Sequence, residues 1–433
     1  MRTATTLSNI KRVVSVFILR TSSHDEAQVA LFRRCTEMPT FGGHWAAISG
    51  SIETHDVNPL AAACREVGEE TNLGELLGDY ENLLTSGLHV DVARDKSKGT
   101  FGGRMIRVYP VALTLPSQDS SLWSKIEMRG TEHDEMKFMT IGDFLETDLQ
   151  CVPSLKRAFH HATTGKYLDL PQDIRDWERD RVNGAAYLAR AAVDLAAAHT
   201  QNRELLADEL STAQSIATLR PSMVPIVNAM NEFDRRIMHD GYDNIDQVRN
   251  ALLKSLTDES NRCVELGCEL VMKMYKAKAS SAEFVIGTFS RSSTLKSILQ
   301  RVIESSSEEV AAKVRVVCSQ STPGDEGMIM ATDISPASCI PDDEFQQQIA
   351  DGNIDVVIVG ADCVLSEGNG VVNKVGTAEL GSVCKTAGVP ILSAADQWKL
   401  WSDVYCPPLE DIFELIPSEL FDHVLVPKVA EEC

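Results

Sequence analysis

The chain has 433 residues, too long for one ordinary hydrophobic core, so two domains are expected. A hydrophobic content of 43% with 24% charged residues excludes a disordered or fibrous chain, and a formal charge of −22 excludes a general nucleic-acid or anionic-membrane binder. Eleven cysteines without a CxxC pair fit free thiols in a reducing compartment.

In chain order, the leader MRTATTLSNIKR is rich in Ser and Thr and lacks acids, as transit peptides do. It is very short before the first apolar run, so the expected location is cytoplasmic. No apolar run reaches the length of a membrane span. The stretches RVVSVFILR, QVALFRR and RMIRVYPVALTL read as strands, with one helix from Pro59 to about Thr71. A closing strand and turn follow in KFMTIGDFLETD, and a terminal helix in SLKRAFHHAT. A first domain over 8–165 is expected. Residues 175–278 read as almost continuous helix, a helical subdomain. From 279 to 433 the short β-rich runs EFVIGTF, VRVVCS, DVVIVGA and VPILSA alternate with helical segments such as TLKSILQRVIESS. Unbroken apolar runs of that length suit strands covered on both faces, so a Rossmann-like parallel sheet is expected there.

The first cluster with chemical content lies on the helix. Asn58 is a good cap, Pro59 suits the first helical position, and Glu66, Glu69 and Glu70 stand at i, i+3 and i+4. Such a triplet is either a solvated acidic face or a site for a hard divalent ion. The loop SGSIETHD precedes it, giving Gly50, Asp56, Arg65-Glu66-Val67, Glu69-Glu70 and Asn72-Leu73 in register. This resembles the Nudix box. Asp56 stands where that family has Glu, the spacer is one residue longer, and Asn72 replaces Gly at a position expected to close the helix in a left-handed conformation. The resemblance implies an α/β/α sandwich with a mixed sheet, and metal-assisted hydrolysis of a diphosphate. Glu66, Glu69 and Glu70 would hold Mg²⁺ or Mn²⁺, and Glu69 and Arg65 would take part in catalysis, Arg65 by orienting a glutamate. Glu132 and Glu135 in TEHDEMKF are candidates for the general base, or else solvated loop residues.

The second cluster lies in DVVIVGADCVLSEGNGVVNKVGTAEL, where Asp362 follows a strand end and Asn373-Lys374 precede a helix. A ligand site and a loop-stabilising network are both open readings. Gly368 and Gly370 allow a tight turn between them. Ser290, Arg291, Ser292 and Ser293 follow another strand and open a helix, where they either cradle a phosphate or merely cap. Arg220 precedes Pro221, a placement that suggests a helix start, and Gly184-Ala185 open a long apolar helix. With LRPS, FSR, TPGDEG, GAD and NKVGT, residues 175–430 are similar to the family of the translation initiation factor 2B alpha, beta and delta subunits. That family also holds methylthioribose-1-phosphate and ribose-1,5-bisphosphate isomerases.

The resemblance implies Asp362 as a catalytic proton-transfer group, and a sugar-phosphate site built from Gly184, Ala185, Arg220, Ser290, Arg291, Ser292, Asn373 and Lys374. It also implies a homodimer through the C-terminal domain. The isomerases' loop cysteine is replaced by Thr288, and their Arg before Gly-Ala by Asn183. The reading is a Nudix hydrolase of a nucleoside-diphosphate-linked or sugar-diphosphate substrate, fused to an aldose-1-phosphate isomerase-like domain. The alternative is a regulatory or assembly protein that binds a sugar or nucleotide phosphate without turnover and pairs with initiation-factor subunits. Neither reading needs a membrane or direct nucleic-acid contact.

Overall fold

The computed structural model describes residues 10–20, 27–92, 105–115, 123–200, 210–240, 244–278, 283–304, 313–366 and 369–427. The first nine leader residues, the stretch 203–209 of the expected helical region, and Gly368 lie outside the described residues. The chain forms two compact units, one of 1–171 with 202–221 and one of 172–201 with 222–433.

The first unit is built on a mixed sheet of β1 (Ile10–Arg20), β2 (Gln28–Arg34), β3 (Trp45–Ala46), β4 (Ile48–Ser51), β5 (Leu84–Ser86), β6 (Val90–Val92), β7 (Met105–Leu115) and β8 (His133–Thr140). β1 is central. It pairs in parallel with β7 along its whole length, and antiparallel with both β2 and β4 on its other edge. Helix α1 (Pro59–Glu70) packs against β4 and β1, and helix α2 (Leu155–Ala162) against β7 and β1. The period-2 alternation of β1 serves both layers. Phe17 and Leu19 join Leu155, Ala158, Phe159 and Ala162 in one cluster, while Val14, Val16 and Ile18 are fully buried on the alternate face. Phe159 anchors its side of the sheet with edge-on contacts to Phe17 at 5.5 Å and Phe144 at 5.1 Å. Burial of a ring this size contributes about 1.5–3 kcal/mol.

In α1 the Asn58 carboxamide oxygen accepts the Ala61 amide at 2.9 Å and Pro59 opens the helix, as the sequence predicts. The expected left-handed cap at Asn72 is not found. The helix ends at Glu70 and Asn72 has φ −88°; its carboxamide instead donates to the Lys125 carbonyl at 2.9 Å and accepts the Glu127 amide at 2.9 Å. Asn replaces Gly there because its side chain ties two segments together.

The second unit holds helices α3 (Ala185–Thr200), α4 (Val224–Asp240) and α5 (Ile245–Ala277), which pack on one another, and a doubly wound α/β region. The near-continuous helix expected over 175–278 is therefore interrupted: a short helix ends at Glu178 and α3 begins at Ala185. The parallel sheet comprises β9 (Phe284–Phe289), β10 (Val314–Ser319), β11 (Ala337–Ile340), β12 (Val356–Gly360), β15 (Ile391–Ala394) and β18 (His423–Leu425), in the order β11-β10-β9-β12-β15-β18. Every pairing in it is parallel. One face carries α5 and α6 (Ser293–Glu304), the other α8 (Asp342–Ala350) and α9 (Thr377–Ala387), with α7 (Glu326–Asp333) beside β10.

A small second sheet, β16 (Leu400–Trp401), β13 (Cys363–Leu365), β14 (Gly370–Lys374) and β17 (Phe413–Ile416), extends from the end of β12. The winding direction reverses between β9 and β12. Open parallel sheets take their ligands at such a switch point, beyond the carboxyl ends of the strands. Among the described residues no helix is long and apolar enough to cross a membrane.

Candidate active sites

In the first unit, β4 and α1 approach so closely that a Cβ on Gly50 would lie 1.9 Å from Glu66 Oε1. Glycine is required there for steric reasons: its missing side chain leaves room for a carboxylate. The Arg65 guanidinium organises the cluster. It donates to Asp56 at 3.3 and 3.0 Å, to Glu66 Oε1 at 2.7 Å, to the Ser51 carbonyl at 2.9 Å and weakly to Glu69 at 3.5 Å. Its hydrogen bonds hold the Asp56 carboxyl below the ordinary range, and burial pushes the Glu66 carboxyl up against the pull of Arg65.

The three glutamates do not share one environment. Glu66 and Glu70 are buried at 8% and 6% exposure, while the Glu69 side chain is 60% exposed. Among the described residues no three His, Cys, Asp or Glu side chains are already grouped as a metal cage. The donor set still suits a hard cation, because the Glu70 oxygens are buried and make no hydrogen bond. Of the base candidates, Glu135 pairs with Arg33 at 2.7 Å and Glu132 lies 3.8 Å from Arg34, both about half exposed.

At the switch point of the second unit, the loop after β9 meets the end of β12, where a Cβ on Gly360 would lie 3.0 Å from Ser292 Cβ. Ser290 holds φ 66°, a left-handed conformation unusual for a residue with a side chain. Its amide donates to Ser321 Oγ at 2.7 Å and its hydroxyl to Glu326 at 3.3 Å. Glu326 also accepts from the buried Lys374 ammonium, which donates to the Pro323 carbonyl as well. Asp342 gathers the turn from Ser319 to Thr322, accepting the Ser321 and Thr322 amides at 2.6 and 2.9 Å.

Asp362 leaves the end of β12 partly buried, and burial pushes its carboxyl up; Lys399 pulls it down, and the charges of Glu326 and Glu410 add to the rise. Lys399 itself donates to the Ala361 carbonyl at 2.5 Å. A carboxyl so placed holds a proton at higher pH than usual, the condition for acid–base work.

Several expectations change. Thr288 lies inside β9 rather than in a loop; it is fully buried and its hydroxyl has no hydrogen bond. Lys374 and Asn373 belong to strand β14, with Asn373 donating to Thr377 Oγ1 at 3.2 Å. Ser292 makes a weak cap to Leu295 at 3.4 Å, and Arg291 points to Asp333 at 3.5 Å. Arg220 caps the end of the helix Thr212–Leu219 instead of starting one, and it falls in the first compact unit. The following proline accounts for this, since it forces the residue before it out of helical geometry. Gly184 is exposed and Ala185 opens α3; the Asp180 carboxylate holds the turn before them.

Residues 10–155 match the NUDIX domain model, and residues 181–423, more than half the chain, match the model of the initiation factor 2 subunit family. The chain belongs to the initiation factor 2 subunit family. Among curated members, the ribose 1,5-bisphosphate isomerase of Archaeoglobus fulgidus is 24% identical over 265 residues, 58% of this chain and 79% of that protein. That of Methanocaldococcus jannaschii is 26% identical over 39% of this chain and 57% of its own length. The methylthioribose-1-phosphate isomerase of Dechloromonas aromatica is 32% identical over 23% of this chain, which spans 28% of that enzyme.

A solved translation initiation factor eIF-2B from Pyrococcus horikoshii aligns at TM-score 0.44 and 20% identity, covering 59% of this chain and 95% of that one. In this family domain the sequence did not single out Lys399 and Glu326 as neighbours of Asp362. Lys399 sits three strands further on, with no motif around it, whereas Glu326 was visible inside TPGDEG.

Proposed function

We propose that the first unit is a divalent-cation-dependent hydrolase of a nucleoside-diphosphate-linked or sugar-diphosphate substrate, and that the second converts an aldose 1-phosphate into a ketose phosphate. The observation that carries the first half is the buried Glu70 carboxylate, whose oxygens make no hydrogen bond, beside Glu66 on the Nudix helix. Glu66, Glu69 and Glu70 would hold Mg²⁺ or Mn²⁺, which neutralises the diphosphate and makes bound water acidic. Arg65 fixes Glu66, and the exposed Glu69 is free to turn toward substrate.

In the second unit Asp362 carries the reading. Isomerisation of a closed-ring aldose 1-phosphate needs a proton delivered to the ring oxygen and one removed from the 2-hydroxyl, while hydrogen moves from C2 to C1. Asp362 supplies one of the two proton transfers, and Lys374 and Ser290 line the phosphate side. Hydrolysis of a sugar 1-diphosphate leaves a sugar 1-phosphate, so the two reactions would run in sequence. Free thiols at every described cysteine support a cytoplasmic location, and exposed Val375, Ile412 and Leu415 on the small sheet support a homodimer.

Incubation of the full chain with Mg²⁺ and phosphoribosyl diphosphate is expected to release phosphate and form ketose phosphate. Glu69→Gln should stop the first product and Asp362→Asn the second. Absence of both products from the wild type would sink the scheme. The second reading, phosphate binding without turnover in a regulatory or assembly role, is favoured by one observation: Thr288 offers no acid to pair with Asp362. Phosphate without ketose, and initiation-factor subunits in stoichiometric pull-down, would establish that reading.

A further inference from the structure

Arg65 reaches Asp56, Glu66 and Glu69, but not Glu70. What faces Glu70 is His133, the first residue of β8. Its Nδ1 lies 2.9 Å from Glu70 Oε2, with both side chains buried, at 3% and 7% exposure. The contact is within ion-pair distance, while both Glu70 oxygens and His133 Nε2 make no hydrogen bond. His133 is turned inward by a local feature of the sheet. The pairing of β2 with β8 slips between Arg33 and Arg34, so that His133, and not Asp134, stands opposite Arg34. Slips of this kind re-aim a side chain next to functional sites.

We propose that His133 is the positioning residue of the cation site: its Nδ1–H holds Glu70 Oε2 and leaves Oε1 directed at the ion. This rests on the hydrolase reading of the first unit. The charge pattern supports it. Three carboxylates, Asp56, Glu66 and Glu69, already share the one guanidinium, so none of its contacts is left for Glu70. A carboxylate there without a fixed partner would swing away from the others, because like charges repel. An imidazole N–H restrains it without consuming the second oxygen, the arrangement by which outer groups orient metal ligands. Phe32 stacks obliquely on the imidazole at 5.5 Å and fixes the ring from the other side.

The test is Mn²⁺ titration of the full-length protein, read by electron paramagnetic resonance of the free ion, on wild type, Glu70→Gln, His133→Ala and His133→Asn. His133→Ala is expected to weaken Mn²⁺ binding by about 10–100-fold, and His133→Asn, whose carboxamide N–H replaces Nδ1–H, to stay within about threefold of wild type. Unchanged affinity in His133→Ala while Glu70→Gln binds weakly would overturn the role of His133 and leave the hydrolase reading intact. Equal losses in His133→Ala and His133→Asn would also overturn it, since they would make the ring itself the requirement. Wild type and Glu70→Gln binding Mn²⁺ alike would remove the cation site, and the inference with it. Thermal melting of each variant shows that the folded protein is being compared.

Discussion

Gly50→Ala isolates the contribution of the Glu66 carboxylate with a single methyl group. Gly50 lies in β4 and is not among the glycines of positive φ, so alanine suits its backbone. The new Cβ would meet Oε1 at 1.9 Å, Cδ at 2.0 Å and Oε2 at 2.2 Å. Ordinary contact begins at 3.4 Å, so the carboxylate must retreat by about 1.5 Å. The 2.7 Å bond from Arg65 Nη1 cannot survive that movement. Charge-assisted bonds contribute about 1.5–3 kcal/mol; Arg65 keeps Asp56 and the Ser51 carbonyl, so a net loss of about 1–2 kcal/mol is expected. Function should suffer far more, because a displacement of about 1 Å in a reacting group costs about 100-fold in rate. Urea denaturation, Mn²⁺ titration and the phosphate-release assay measure the three quantities. Gly68→Ala is the control on the same helix: the position is exposed with only Tyr80 Oη at 4.0 Å, and it should stabilise by about 0.8–1 kcal/mol with unchanged turnover. Gly50→Ala with Mn²⁺ affinity and turnover within about threefold of wild type would refute the view that Glu66 works in place.

Four further outcomes are expected. Asp56→Asn should destabilise the first unit by about 1.5–3 kcal/mol at neutral pH. Arg65 depresses the native Asp56 carboxyl below its reference value of 3.8, so the wild-type advantage is complete above that pH and is lost as pH falls through the native value; urea titrations from pH 7 to pH 2 should show the two proteins converging. Asp362→Asn should reduce ketose formation by about 10²–10⁴-fold yet stabilise the second unit at pH 7. The native carboxyl is raised by burial, so that gain should fade as pH falls toward 3.8, which denaturation across the same range would measure. Thr288→Val deletes a buried hydroxyl with no hydrogen bond, so stability should rise by about 1 kcal/mol with isomerase turnover unaltered; a drop in turnover would place that hydroxyl in the chemistry. Chelation by EDTA should abolish phosphate release and leave ketose formation from the supplied sugar 1-phosphate intact, as followed by separate product assays.

How far the sequence reached depended on whether geometry was local. The start of α1 was legible because Asn58, Pro59 and the glutamate spacing are neighbours along one helix. The four long parallel strands were legible because burial on both faces leaves unbroken apolar runs. The small sheet was not, since β13 and β16 have three and two residues, too few to show a period. His133 escaped notice for a different reason. In a regular strand it would share a face with Glu135, and only the slip in pairing with β2 separates them. Thr288 was misplaced into a loop because the apolar run EFVIGTF gives no sign of where its last pairing falls; the pairing of Thr288 with Ile358 decides it. Arg220 was misread because Pro221 was taken to open the helix that follows, whereas its steric effect falls on the residue before it.

The net charge of −22 poses a physical question to any reading with anionic substrates, and the two units answer it differently. In the first, the Arg65 guanidinium is already divided among Asp56, Glu66, Glu69 and a carbonyl, so among the described residues of the cluster it is not left over to meet a diphosphate. On the proposed function the surplus of carboxylates would receive imported charge, and the anion would follow the ion. In the second, Lys374 and Lys399 are built in and buried, and each is anchored to a backbone carbonyl that fixes its position. On the proposed function their fixed charge would serve a monophosphate without an ion, and the Lys399 ammonium limits how far the Asp362 carboxyl can rise. Burial raises the Asp362 carboxyl and the Lys399 ammonium opposes that rise, so its proton affinity is set by the balance of the two. Removal of Lys399 therefore changes the proton chemistry of Asp362 as well as the local charge, which is why it cannot be treated as a phosphate anchor alone.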